Sequence, residues 1–306
     1  MPKPRVNLRI GVVQFSPKYT CFSAGYVFEN AAAISPFLEK PRTGPTCQFC
    51  SELAKKLECY VIAGYPEVLD PAELNADDPS PVNGAPNAAE GPDKRPESSS
   101  TSGSTTKREQ VGTNSAALYG LDGEWIGGYR KSYLYETDLA WAKQGEGFKT
   151  FHLPSPLNTV CLGICMDLNP QSPWTLERGP YELADYCVAQ NANVLILLNA
   201  WLDSKTETEE TSDWSTLNYW ASRLRPLWTN GDDVDKDGQR TQADVDPQDG
   251  EKEIVVVVCN RCGEENGTLF AGTSAIFSMV AGSGRPKLLD MMERREEGVR
   301  IWNIRV

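Results

Sequence analysis

At 306 residues the chain is long enough to bury a sizeable core, as one large α/β domain or two small ones. Its formal net charge of −12 argues against a nucleic-acid partner, which calls for a basic face. The excess is local: residues 70–97 hold seven acids against Lys94 and Arg95, and residues 232–253 hold nine against Lys236, Arg240 and Lys252. The opening MPKPRVNLR lacks the apolar core of a secretory signal, and no later run is long enough to span a membrane. Nine cysteines, an odd number at irregular spacing, read as reduced thiols in a cytoplasmic compartment.

In chain order, residues 8–15 (LRIGVVQF) predict a buried strand closed by Ser16-Pro17. Residues 44–58 predict a helix with Thr46 as N-cap and Phe49, Leu53 and Leu57 on one face, and 59–65 (CYVIAGY) a second buried strand. From Leu69 to Gln110 the chain is dominated by Pro, Ser, Asn and acids, which predicts a disordered surface insertion within a single domain 1–306. Residues 112–120 and 124–130 predict a hairpin turned at Leu121-Asp122-Gly123 and running into Lys131. Helices are expected over 181–190 and 216–228. Strands are expected over 160–164, 194–198, 254–259, 268–279 and 299–305, with an acidic loop over about 230–252. Buried strands alternating with amphipathic helices indicate an α/β protein.

The stretch VCLGICMDLNP carries the chemistry. An apolar strand ends on Cys165, and Asp167, Asn169 and Pro170 then turn the chain toward a helix. A cysteine at that place is displayed as a nucleophile, with a helix N-terminus favouring its thiolate; the other reading is a core cysteine beside a turn. The single histidine, His152, sits in KTFHLPSP on a short strand or loop, so a nucleophilic Cys165 takes a carboxylate as its partner instead. Lys131 ends an apolar strand as Cys165 does. Beside the thiolate it would favour the ionised sulfur and stabilise an oxyanion; alone, it reads as a surface lysine.

Two metal-like patterns have simpler readings. Asp233, Asp235, Asp237, Gly238 and Asp244 match the spacing of a calcium loop, but Arg240 breaks the pattern and no amphipathic helices flank it. Cys47/Cys50 lie within the predicted helix and Cys259/Cys262 at a strand end, without the knuckle turns of a zinc site. No metal or cofactor is expected.

These residues resemble the nitrilase, or carbon–nitrogen hydrolase, superfamily: YRKSYL carries its lysine, GICMDLNP its cysteine and CNRCGEENGTLFAGTSAIFS its C-terminal strand pair. YVIAGYPE, YRKSYLYETDLAW and LILLNAWL are similar to the branch of N-terminal Asn/Gln amidases. The resemblance implies an αββα sandwich, no cofactor, a homo-oligomer paired through sandwich faces, and peptide or protein N-termini bearing Asn or Gln as substrates. It implies Cys165 as nucleophile, Lys131 as oxyanion donor and a glutamate as general base. It leaves Asp167 and Asp138 as candidates for the substrate α-ammonium and Trp201 as a further substrate contact; for Asp167 a structural capping role is the alternative.

The resemblance breaks in one place. In the family the first strand is followed by a helix and a second strand ending in the Pro-Glu that carries the base, shortly before a Gly-Tyr. Here Phe15-Ser16-Pro17 passes almost directly to Gly25-Tyr26, and the place of the base falls on about Thr20. A hydroxyl cannot take a thiol proton at neutral pH, and Glu29 comes after the Gly-Tyr. The expectation is a sandwich lacking its first helix and second strand, with impaired activity.

Overall fold

Strand burial in the computed structural model divides the sheets into two layers. The structure describes residues 6–16, 25–74, 110–170, 179–205, 210–229 and 252–305. In chain order the elements are β1 (Asn7–Gln14), α1 (Ala31–Ile34), α2 (Pro45–Leu57), β2 (Val61–Val68), α3 (Pro71–Leu74), β3 (Gly112–Tyr119), β4 (Trp125–Arg130), β5 (Lys149–His152) and β6 (Thr159–Ile164). After these come α4 (Glu182–Ala189), β7 (Val194–Asn199), α5 (Trp214–Arg223), β8 (Glu253–Asn260), β9 (Glu264–Glu265), β10 (Thr268–Leu269), β11 (Ala275–Val280), β12 (Lys287–Met291) and β13 (Gly298–Arg305).

One layer is a six-stranded sheet in the order β12-β11-β8-β7-β6-β5. Its parallel centre, β6-β7-β8, is built from the apolar runs TVCLGI, VLILLN and EIVVVVCN, as expected of strands covered on both faces. On the outer face α4 and α5 bring Leu183, Cys187, Leu217 and Trp220 against Leu195, Leu197, Val256 and Val258. The other layer consists of two pieces, the ribbon β1-β13 and the meander β2-β3-β4, with α2 outside the meander. The layers run helix, sheet, sheet, helix, which is the αββα sandwich.

The inner layer is interrupted. Five strands in two pieces face the six-stranded sheet, and no ladder joins β1 to β2 among the described residues. Ile196 and Leu198, on the inner face of the central strand β7, are only half-buried, whereas Leu195 and Leu197 on its outer face are fully buried. On β2, read from sequence as buried, Val61, Ile62 and Ala63 are half-buried and Gly64 is exposed. Near its C-terminal end that edge is taken by Glu39, through Glu39 N–H to Pro66 O at 2.8 Å and Val68 N–H to Glu39 O at 2.9 Å. Residues 17–24, between β1 and the resumption at Gly25, lie outside the described residues, and so do Thr20, most of the 69–110 insertion and the acidic loop with its calcium-like aspartates.

Three local expectations are corrected. Helix α2 is capped by Gly44 and Pro45, not by Thr46, whose N–H and hydroxyl both donate to the Glu39 carboxylate at 2.8 and 2.7 Å. Its buried stripe is Cys47, Cys50 and Ala54, small side chains that let it sit close to Tyr65, Ala117 and Tyr119, while Phe49 and Leu57 are exposed. The helix predicted over 216–228 stops at Arg223 and continues as a 3₁₀ turn, Arg225–Leu227, around Pro226. Cys47 and Cys50 pack behind β2 and β3, whereas Cys259 packs between the layers with its thiol on Val13 O, so the two CxxC pairs lie in separate clusters.

Candidate active site

The β6 strand delivers Cys165 through a tight local construction. Gly163 lets the strand pack closely: a Cβ there would lie 2.9 Å from Leu197 Cδ2 and 3.0 Å from Leu183 Cδ2, and those side chains would have to shift. Cys165 opens a 3₁₀ turn, Cys165–Leu168, with φ +47°, a left-handed conformation that non-glycine residues seldom adopt and that is concentrated at functional sites. Its N–H donates to Asn199 Oδ1 at 3.1 Å, which fixes it to the end of β7.

Asp167 locks this turn to the end of β4. Its buried carboxylate accepts Ile164 N–H at 2.8 Å, Ser132 N–H at 3.0 Å, Tyr133 N–H at 2.8 Å and Tyr129 O–H at 2.6 Å. Those bonds hold Lys131, the residue before Ser132, beside Cys165. Lys131 is wholly buried, and its Nζ donates to Asp138 Oδ2 at 2.5 Å. Asp138 also accepts Tyr135 N–H at 2.9 Å, Asn114 Nδ2–H at 3.0 Å and Tyr26 O–H at 3.4 Å. The Tyr26 ring lies over the Lys131 ammonium, 5.8 Å from its centroid.

Burial pushes the Cys165 thiol above its ordinary value, while the Lys131 charge and the Ala200 N–H pull it back. Burial also works against the Lys131 ammonium, but Tyr26, Asp138 and Cys165 pull the other way and leave it above the usual lysine range. Asp167 is raised to about 6 by burial, against the pull of the Tyr129 hydroxyl and the backbone N–H groups. Tyr26 is raised by burial and stays a neutral phenol.

The structure thus brings Cys165, Lys131, Asp138 and Asp167 into one cluster. Trp201 stands at its side, packed against the Cys165 cluster, with its N–H on Asn260 Oδ1 at 2.8 Å and its ring 5.4 Å from that of Tyr219. Asn169 receives the Tyr219 hydroxyl at 2.5 Å. Both Asp138 and Asp167 spend their acceptor positions on the chain itself. Glu29 is exposed, and His152 is exposed at the end of the edge strand β5. Sequence reasoning missed Asn199, Asn114, Tyr129 and Tyr26 as members of the site. For Asn199 a signal existed: an amide closing a wholly apolar parallel strand, repeated at Asn260 on its neighbour.

No protein-family model matches the chain. It is 28% identical over 298 residues to the protein N-terminal amidase of Schizosaccharomyces pombe, an alignment covering 92% of this chain and 83% of that protein. It is 27% identical over 203 residues to the protein N-terminal amidase of Saccharomyces cerevisiae, covering 61% of this chain and 36% of that one. Among solved structures it superposes on N-terminal amidase with an Asn-Glu-Ala peptide at TM-score 0.71 and 18% identity, covering 98% of each chain. It superposes on an amidase from Nesterenkonia sp. AN1, a nitrilase-superfamily protein with an active-site cysteine, at TM-score 0.53 and 16% identity, covering 94% of this chain and 77% of that one or 76% in its cysteine-to-serine form. In sequence the chain is similar to the protein N-terminal amidases, and its αββα sandwich matches the fold of the solved N-terminal amidase and of the Nesterenkonia amidase.

Proposed function

We propose that this chain is an amidohydrolase of the N-terminal Asn/Gln type, acting through a Cys165 thioester, with turnover impaired at its proton-transfer steps. The observation that carries the reading is Cys165, held left-handed at a strand end beside the buried Lys131–Asp138 pair. Similarity to the S. pombe amidase along almost the whole chain supports it. Cys165 gives up its thiol proton, and the thiolate attacks the side-chain carboxamide carbon while the Lys131 ammonium faces the oxyanion. Collapse breaks the C–N bond, and the nitrogen leaves as ammonia with the proton released by the thiol. Water then attacks the thioester to give the acid and restore the thiol.

Each half-reaction needs a group to carry that proton. The carboxylates that bear most on Cys165 are Asp138 and Asp167, both engaged by donors of the chain itself. The resemblance puts the family's base at about Thr20, which supports impairment. Of the three substrate contacts expected from sequence, Trp201 keeps a half-exposed face for the peptide. The substrates are peptide or protein N-termini with Asn or Gln, met in a cytoplasmic compartment that keeps thiols such as Cys165 reduced.

Mass spectrometry of an Asn-initiated peptide incubated with the chain, with Cys165→Ala as control, tests this. Slow, cysteine-dependent conversion of amide to acid is expected, rising when a family-type strand and glutamate are inserted after β1. Rapid conversion by the unaltered chain overturns the impairment. No conversion by the repaired chain overturns the amidase reading. The engaged carboxylates also favour a second reading, a peptide-binding protein without turnover, which predicts retained binding in the absence of any conversion.

A further inference from the structure

Glu265 lies on the two-residue strand β9, far along the chain from Lys131 and Cys165, yet it is buried and aimed at the segment that resumes at Gly25. Its Oε1 and Oε2 both accept Tyr26 N–H at 2.9 Å, and Oε1 accepts Val27 N–H at 3.0 Å. Arg261 Nη1 stands 3.8 Å behind it. The fit leaves no room for a side chain at Gly25, where a Cβ would come 1.9 Å from Glu265 Oε1. Backbone N–H groups converging on a buried carboxylate form a strong, charge-assisted clamp.

What the clamp holds is the Tyr26 side chain. The ring covers the Lys131 ammonium at 5.8 Å, and the hydroxyl reaches the Asp138 carboxylate at 3.4 Å. Tyr26 thus links the β9-β10 pair, through Glu265, to the Lys131–Asp138 pair. We propose that Glu265 is a positioning residue for the Cys165 site: by fixing the backbone of Tyr26 and Val27 it presses the Tyr26 ring over Lys131 and shuts water out of the Cys165–Lys131–Asp138 cluster. The inference rests on reading Cys165 as the nucleophile, but its test needs no turnover.

The test is the rate at which iodoacetamide alkylates Cys165 in the full chain at pH 7, followed by mass spectrometry of the Cys165 peptide. Glu265→Gln keeps the shape but loses the charge and one acceptor, and should raise the rate roughly fivefold or more as the cluster opens to water. Tyr26→Ala should raise it at least as much. In the Tyr26→Ala background, Glu265→Gln should add less than about a twofold change, because the ring it positions is gone. A merely structural carboxylate would accelerate alkylation equally in both backgrounds, and that result overturns the proposal. An unchanged rate in Glu265→Gln overturns it too. Should Glu265→Gln fail to fold, Tyr26→Ala decides alone: an unchanged rate means the ring shields nothing. A failed deamidation assay would leave these outcomes readable, and a failed alkylation pattern would leave the amidase reading standing.

Discussion

Lys131 donates to Asp138 at 2.5 Å with both side chains wholly buried, so the ammonium beside Cys165 is neutralised inside the chain before any substrate arrives. Removing either member leaves the other as an unpaired buried charge. Asp138→Asn and Lys131→Met should each destabilise the fold by about 3–5 kcal/mol, and the double variant by less than the sum. Urea unfolding midpoints of the four proteins check this. Equal midpoints for the parent and Asp138→Asn would show that the pair is not formed.

Asp167 should make stability depend on pH in an uncommon sense. Its folded value of about 6 lies above the ordinary 3.8, so the folded state holds the proton more tightly than the unfolded chain. The contribution is therefore fully present below about pH 4 and lost as pH rises through about 6, amounting to roughly 3 kcal/mol at most. Measured against Asp167→Asn, which does not titrate, the parent chain should gain stability on going from pH 7 to pH 4. A difference that is flat, or that shrinks toward acid, counts against the raised value.

Gly163→Ala puts a methyl against Leu197 and Leu183 directly behind the turn that displays Cys165. Overpacking of this kind costs about 1–3 kcal/mol. Because the strain falls two residues from Cys165, the proposed nucleophile, any cysteine-dependent amide hydrolysis should fall more than the melting temperature alone explains. Comparing the rate per folded molecule with that of the parent separates the two effects.

On α2 the exposed apolar residues and the buried small ones give opposite expectations. Phe49→Ala, on the exposed face, should change stability by less than about 0.5 kcal/mol. Ala54→Leu, wholly buried against the meander, should cost about 1–3 kcal/mol. Thermal unfolding of both variants would reverse this order if the helix faced the sheet through Phe49 and Leu57.

That helix shows where sequence reading runs out. Periodicity finds the helix, but it weights Phe49, Leu53 and Leu57 as the core stripe, whereas the contact is made by Cys47, Cys50 and Ala54, whose value is closeness and not area. The strand ending on Cys165 was legible because a buried apolar run, a close-packed glycine and a turn signal agree within eleven residues. Lys131 was legible as the end of a hairpin strand. The hydrogen-bond partners of Asp138 and Asp167 were not, since a sequence does not show which donors meet a carboxylate. The donors to Asp167 come from Tyr129, Ser132, Tyr133 and Ile164, and two of them are backbone groups more than thirty residues away. The Glu265–Tyr26 clamp joins positions 239 residues apart, beyond any local pattern.

The interrupted inner layer bears on how the molecule opens. The ribbon β1-β13 is held by Val12 and Trp302 on Val255, Val257 and Ile276, whereas the meander is held by Ala116, Leu118 and Tyr129 on β5 and β6. With no hydrogen-bonded ladder between them among the described residues, each piece draws its protection from a different stretch of the facing sheet. Local opening of the one therefore need not carry the other with it. Amide hydrogen exchange should sort the two into separate cooperative units, with the N–H groups of Ile62 and Gly64, on the edge of β2 that no ladder covers among the described residues, exchanging long before those of Leu195 and Leu197 across the interface.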